Sequence, residues 1–307
     1  MIGICKIASY IPELRIDNIA RKELFGVSET FLEEKVGIVR VARKKAEEET
    51  SDLCCRAFEK LAQKGNFNVD DFEVAVVCTQ NPDYNLPHVS AILHDKIGLK
   101  GNCATFDISL GCSGYVYGLA LIESFMRGMG LRRGLFFTAD PYSKVLKEND
   151  KNTNLIFGDA ATVTLVGEDP IFESMKFSFG TRGSGYKYLI CNDGQLSMNG
   201  REVFNFAASV IPGDTKYVLA KNGLDIDDVD LFLFHQASKY IIDYLTKAIG
   251  IPKEKVPYVI AGYGNTVSSS IPLMLENILG DKMLETVLIS GFGVGLSWAS
   301  GILKRKK

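Results

Sequence analysis

Three residues in this chain are of types that could share one reaction: Cys112, His235 and Asn265. Cys112 lies in DISLGCSGYVYG (107–118), where a strand-like run gives way through small residues to a helical stretch with few charges. Tyr115, Val116, Leu119, Ile122, Phe125 and Met126 put apolar groups on nearly every face of that helix, which predicts burial. A thiol at the start of a buried helix meets free backbone N–H groups and the positive end of the helix dipole. Both favour the thiolate, so the position predicts a lowered thiol pKa. The flanking glycines permit a tight turn and close approach by a substrate. From this segment alone, an activated nucleophile and a small packed core cysteine are both open.

His235 follows the apolar run LFLF and precedes a helical pattern. That places it at a strand's C-terminal edge, where α/β sheets gather their sites. On its own it also fits a satisfied core histidine. Asn265 sits in AGYGNTVSSSIP (261–272), and an Asn in a Gly-rich turn is commonly a turn residue and nothing more. Taken together the three gain meaning. A thiolate needs a partner to manage protons, and a His–Asn pair can donate hydrogen bonds to a thioester carbonyl. Each residue falls at a strand end or a helix start, so all three could meet in one crevice. His88 and His94 lie in a helical pattern and read as ordinary residues. The other six cysteines read as reduced and mostly buried. Their number with Cys112 is odd, no CxxC pair occurs, and three histidines give no zinc spacing.

The elements that must hold these residues alternate along the chain. Apolar runs at 72–78, 134–139, 160–166, 229–234 and 286–290 read as strands, and the opening segment reads as a first strand. Amphipathic patterns at 51–64, 88–97, 114–129, 207–222, 239–249 and 271–279 read as helices. This order implies βαβ units and largely parallel sheets covered on both faces. The two parts of the chain follow the same order, with FEVAVVCTQNP and VDLFLFHQAS at comparable places. We therefore expect a duplicated α/β unit, with one half at 1–168 and the other at 169–307.

The chain has 307 residues, 46% hydrophobic and 23% charged, with a net charge of −2. A dominant nucleic-acid surface is not expected from that balance. No uncharged run reaches the roughly 18 residues of a membrane span, and the N-terminus lacks a basic region or a cleavage site. A cytoplasmic protein with no membrane or nucleic-acid partner is expected. The closing Lys304, Arg305, Lys306 and Lys307 read as a solvated basic tail.

Six segments together carry a family resemblance: DISLGCSGYVYGL, IFGDAATVTLV, LSMNGREVFNFA, LFLFHQAS, GYGNTVSSSIP and GFGVGLSWASG. Through them nearly the whole chain resembles the thiolase superfamily, and within it ketoacyl-ACP synthase III. The resemblance implies a thiolase-like five-layer αβαβα fold of two pseudo-duplicated halves with mixed, largely parallel sheets, working as a homodimer. It implies a Cys–His–Asn triad at Cys112, His235 and Asn265. In such enzymes an acyl group passes from acyl-CoA or acyl-ACP to the cysteine. Malonyl-ACP or a related extender then loses CO₂ and condenses with it. Backbone N–H groups of Cys112 and Val294 would hold the acyl oxyanion, and Phe292 would gate the pocket. Phe31, Lys151, Phe204, Arg201 and Ser238 would contact the substrate, and Leu86 would reach across the dimer to the acyl pocket. No metal or cofactor is implied, since CoA and acyl-carrier thioesters are substrates. A carrier protein is acidic in this family, and Arg201, Lys239, Lys247, Lys253 and Lys255 could line its docking face.

The chain departs from that pattern in places. Phe31 and Lys151 stand where a tryptophan and an arginine are usual, Arg201 and Ser238 where Asn is usual, and Val294 where a glycine is usual. The stretch 180–197 is short. These changes point to a specialised member rather than a housekeeping one. Two other activities stay open: an acyltransferase passing the group to an alcohol or amine, and a non-catalytic acyl-binding partner.

Overall fold

The alternation of apolar and amphipathic segments resolves into one sheet whose two arms enclose a pair of helices. The computed structural model describes residues 1–65 and 67–306. In the first half, β1 (Ile2–Tyr10) is followed by a small ribbon, β2 (Arg15–Asp17) with β3 (Arg40–Ala42). Next come α1 (Thr50–Gln63), β4 (Val74–Cys78), α2 (Val89–Ile97), β5 (Ala104–Ile108) and α3 (Gly114–Met129). β6 (Arg133–Ala139), the short α4 (Lys151–Asn154) and β7 (Ala161–Glu168) complete it. The second half runs through β8 (Phe172–Thr181), a hairpin of β9 (Leu189–Asn192) and β10 (Gln195–Met198), α5 (Gly200–Lys221), β11 (Leu231–Phe234), α6 (Lys239–Ile249), α7 (Ser270–Ile278), β12 (Thr286–Gly293) and β13 (Ser297–Arg305).

The sheet order is β11-β12-β13-β8-β1-β7-β6-β4-β5. The strands at either end pair in parallel: β4 with β5 and β6, and β11 with β12. Between them the pairs are antiparallel, and the arms join where Ile4 of β1 meets Phe172 of β8. β4 (VAVVC) and most of β11 are buried on both faces, as parallel strands covered by helices require.

Three cores define the layers. Between the arms lie α3 and α7, whose Tyr115, Val116, Leu119, Ile271 and Met274 pack with Ile4 and Val76 of one arm and Leu233 and Ile289 of the other. The outer face of the first arm is covered by α1 and α2 through Leu53, Ala57, Leu61, Val89 and Leu93. The outer face of the second is covered by α5 and α6 through Phe206, Ile211, Ile241 and Leu245. The result is five layers, αβαβα, with α3 buried along its first turns and reaching solvent at Leu121, Ser124 and its C-terminal end, so the all-round burial expected of it is corrected.

Several expectations need correction. α5 begins at Gly200, seven residues before the apolar periodicity suggests, because the Asn199 side chain accepts from the Glu202 N–H and caps it. Lys304 and Arg305 are the last residues of β13, not a free tail, and Arg305 donates to the carbonyls of Leu279, Leu284 and Asp281. Lys307 lies outside the described residues. Cys191 is exposed on the hairpin, while Cys5 and Cys55 are half-buried. Among the described residues, no helix is long and apolar enough to cross a membrane.

Candidate active site

Cys112, His235 and Asn265 all line one cavity of about 580 Å³. Each is delivered by a different device. Cys112 sits in the turn just before α3, where Gly114 N–H donates to the Gly111 carbonyl at 2.7 Å. The turn fits only because its neighbours are small. A Cβ on Gly293 would lie 2.7 Å from the Cys112 sulfur, and one on Gly291 would lie 2.6 Å from the Cys112 carbonyl.

His235 follows the last residue of β11, and its N–H donates to the Ser290 carbonyl of β12 at 2.8 Å. Asn265 is held by backbone alone. Its N–H donates to the Ile156 carbonyl at 2.8 Å, and its own carbonyl accepts from Gly158 N–H at 2.9 Å. Gly158 is indispensable to this bridge, because a Cβ there would lie 1.9 Å from the Tyr263 carbonyl. Beyond Asn265 the chain turns through Val267 at φ 54°, a left-handed conformation that is a genuine outlier for a β-branched residue. Such strain costs on the order of 1–3 kcal/mol and persists where surrounding structure enforces it. Here the turn aims the Val267 N–H at Asn265 Oδ1, 2.8 Å away. That bond settles the amide orientation and turns Nδ2 toward His235 Nε2, at 3.4 Å. On the far side of the ring, His235 Nδ1 lies 2.7 Å from Ser270 Oγ.

Cys112 and His235 carry the electrostatics of buried groups. Burial pushes the Cys112 thiol up to about 12. The backbone N–H groups of Val294 and of Cys112 itself pull the other way, and the nearby Asp140 adds to the rise. The lowered thiol pKa expected from the helix start is therefore corrected: desolvation outweighs it, and the resting group is a neutral thiol. Burial likewise pushes His235 down to about 3, opposed by the Val267 backbone, so the imidazole is neutral too. Asp140 is raised to about 6 by burial, while bonds from Ser268 and from Gln80 N–H hold it down.

The remaining expected residues divide by location. Phe292 is buried with its ring edge-on to His235, centroids 5.8 Å apart at 87°. Phe31, Lys151, Arg201, Phe204 and Ser238 all line the cavity. Ser238 also has a structural duty, because its Oγ accepts from the Ile241 N–H as the N-cap of α6. Leu86 is 84% exposed and does not line the cavity of this chain. Of the cations expected around a docking face, Lys255 donates to the Asp227 and Val229 carbonyls, and Lys239 pairs with Asp243.

Other residues belong to the site although no motif announced them. Lys35 lines the mouth and stands over the Tyr240 ring at 4.4 Å, with Phe204 packed on Tyr240 at 5.1 Å. Deeper, Cys112 shares an apolar cluster with Tyr142, Phe157, Leu189, Leu196 and Val267. Tyr142 stacks obliquely on Phe157 at 4.8 Å and donates to Gln80 Oε1 at 3.0 Å. Lys35 could have been found from its place four residues after Phe31. Tyr142 carries no local signal, since only the fold brings it beside the thiol.

A cysteine, a histidine and an asparagine around an apolar chamber with a cationic, aromatic mouth suit a long thioester whose acyl end is apolar and whose far end is anionic. Comparison with known proteins agrees in kind. The family model for 3-oxoacyl-[acyl-carrier-protein (ACP)] synthase III matches residues 106–183, and the model for its C-terminal part matches 219–305. The chain is 31% identical to a beta-ketoacyl-[acyl-carrier-protein] synthase III of Caldanaerobacter subterraneus, over 99% of this chain and 98% of that one. It is 32% identical to a protein of the same name from Staphylococcus epidermidis, again over 99% and 98%. A crystal structure of a 3-oxoacyl-(acyl-carrier-protein) synthase III superposes with a TM-score of 0.91 at 34% identity, covering 99% of both chains.

Proposed function

We infer the activity from one premise: the chain belongs to the 3-oxoacyl-[acyl-carrier-protein] synthase III family. It is a condensing, acyl-transferring enzyme. Within that class we propose that it loads an acyl group from acyl-CoA onto Cys112 and condenses it with malonyl-ACP or a related extender. The observation that carries this reading is the meeting of Cys112, His235 and Asn265 in one buried cavity.

The steps follow from the residues. In the first, the Cys112 sulfur attacks the acyl thioester carbonyl. The oxyanion that forms takes the N–H groups of Cys112 and Val294, and the thiol proton ends on the departing CoA sulfur. Because the resting thiol and imidazole are both neutral, that pair carries no net charge before or after this step. In the second, the malonyl carboxylate leaves as CO₂ and its electron pair moves into the thioester, where charge builds on oxygen. His235 and Asn265 face that oxygen as fixed donors in a water-poor site, the condition under which such bonds are strongest. The carbanion then attacks the Cys112 thioester, and the released thiolate takes up a proton. Phe292, edge-on to His235, excludes water and gives the carboxylate no partner, which favours its loss.

At the mouth we assign Phe31, Lys35, Lys151, Arg201 and Phe204 to the CoA or carrier phosphopantetheine arm, with Lys35 and Lys151 supplying positive charge for phosphate. The departures at Phe31, Lys151, Arg201, Ser238 and Val294 support a specialised member. Two copies are expected to pair along β5, an edge strand beside the exposed Tyr84 and Leu86, with Leu86 completing the partner's acyl chamber. A cytoplasmic location fits a carrier-protein substrate. The test is to supply malonyl donors to the acylated protein. Release of CO₂ with a two-carbon gain supports condensation. Acyl transfer without CO₂ supports passage to an alcohol or amine instead.

A further inference from the structure

Three consecutive serines, Ser268, Ser269 and Ser270, are fully buried, and each hydroxyl serves a different neighbour. Ser268 Oγ donates to Asp140. Ser269 Oγ bonds Thr138 Oγ1 at 2.8 Å. Ser270 Oγ lies 2.7 Å from His235 Nδ1, and among the described residues that nitrogen is its one hydrogen-bond partner. The first two serines bind the segment to the sheet. The third touches the ring that the proposed chemistry depends on.

The neutral imidazole carries one proton, and its position decides what His235 can do. With the proton on Nδ1, that nitrogen donates to Ser270 Oγ, and among the described residues the serine's own O–H is left without an acceptor at hydrogen-bond distance. A buried hydroxyl in that state is unfavourable. With the proton on Nε2, Ser270 donates its O–H to the Nδ1 lone pair, and every polar hydrogen on the far side of the ring is satisfied. The near side points the same way. Asn265 is fixed by the Val267 N–H so that Nδ2 faces the cavity. Its 3.4 Å separation from Nε2 is long for a hydrogen bond and suits two donors that share an acceptor neither yet has.

We propose that Ser270 is a positioning residue that holds His235 in the Nε2–H tautomer, so that Nε2–H and Asn265 Nδ2–H form a ready-made pair of donors for an anionic oxygen. The proposal rests on the condensing role given above, and it adds a division of labour to it. His235 enters the reaction as a hydrogen-bond donor in the decarboxylation half, and Ser270 matters to that half alone. Cys112 acylation uses the N–H groups of Cys112 and Val294, which Ser270 does not touch.

The tautomer can be read without any substrate. The chain has only three histidines, so nitrogen-15 labelling of histidine gives three ring systems, and His88→Gln and His94→Gln assign the third. The wild-type ring should show its proton on Nε2. Ser270→Ala should shift the ring toward the Nδ1–H form and lower CO₂ release from malonyl-CoA roughly 10- to 100-fold, the loss typical when the partner that fixes the tautomer of a metal-bound histidine is removed. Labelling of Cys112 by acetyl-CoA should stay within about 2-fold, since that step draws its donors from backbone. Ser270→Thr keeps the hydroxyl and should restore both tautomer and decarboxylation. A wild-type proton on Nδ1, or a Ser270→Ala protein that releases CO₂ at the wild-type rate, overturns the proposal. If Cys112 takes no acyl group from any donor, the condensing role fails while the tautomer result still stands or falls on its own.

Discussion

Two buried helices, α3 and α7, lie side by side between the arms of the sheet, and their N-terminal ends open on the same cavity. They supply opposite parts. The turn before α3 delivers a nucleophile, Cys112, on a loop that glycines allow to sit against β12. The turn before α7 delivers hydrogen-bond donors, through Asn265 and through the Ser270 contact with His235. The first end is built by removing bulk, the second by adding polar partners. A nucleophile needs space for a tetrahedral centre, whereas donors must be locked by a surrounding network. Both groups are buried, which is why the acid at one end and the base at the other depart from their ordinary values in the direction that keeps each neutral.

That contrast can be broken one end at a time. The largest effect belongs to the nucleophile. Cys112→Ala should abolish covalent labelling and lower product formation by about four orders of magnitude or more, judged by single-turnover product mass. Next come the donors. Asn265→Ala should lower malonyl decarboxylation about 10²- to 10³-fold while leaving acyl labelling of Cys112 measurable, which a quench-flow assay of each half separates. A smaller loss is expected from Gly293→Ala. Its new Cβ would lie within van der Waals contact of the sulfur and should slow acylation about 10- to 100-fold, as misplacement of a reacting atom by about 1 Å does.

The pH dependence of stability probes the second end. His235 titrates near 6.5 when unfolded and is held down to about 3 by burial. Its contribution is therefore complete above about 6.5 and is lost as pH falls from there toward 3. At pH 5 the loss is about 2 kcal/mol, at 1.36 kcal/mol per pH unit. Asp140 and Glu123, raised by burial to about 6 and about 7, shift stability the opposite way over the same range, so urea titrations at pH 7 and 5 should show the His235 loss as the difference between wild type and His235→Gln. The smallest effect lies at the rim. Lys35→Ala should raise KM for acyl-CoA only about 2- to 5-fold, since an exposed ion pair contributes about 0.2–1 kcal/mol.

Much of this arrangement was legible in the chain. Periodicity placed α3 and α6 to the residue, because a mostly apolar helix ending at a glycine and one with a strong apolar stripe both leave clear patterns. Cys112, His235 and Asn265 stood out through their small or strand-like flanks. What stayed hidden depends on distant partners. β8 and β13 alternate weakly, being paired at the junction of the arms, and α5 was shortened because its opening turn is capped by Asn199 rather than marked by apolar spacing. The depressed thiol pKa was inferred from helix position alone, and the sequence gives no measure of how completely the fold dries that position. Tyr142 and Ser270 are ordinary residues until the fold brings one beside the thiol and the other beside the imidazole.

The proposed chemistry stands on Cys112 accepting an acyl group as a thioester. Incubating the protein with a panel of acyl-CoA donors and locating any added mass by peptide mass spectrometry tests it directly. The expected result is an acyl adduct confined to the peptide bearing Cys112, discharged on addition of malonyl-ACP. No adduct on Cys112 from any CoA or carrier-bound donor, in protein shown to be folded, would contradict it.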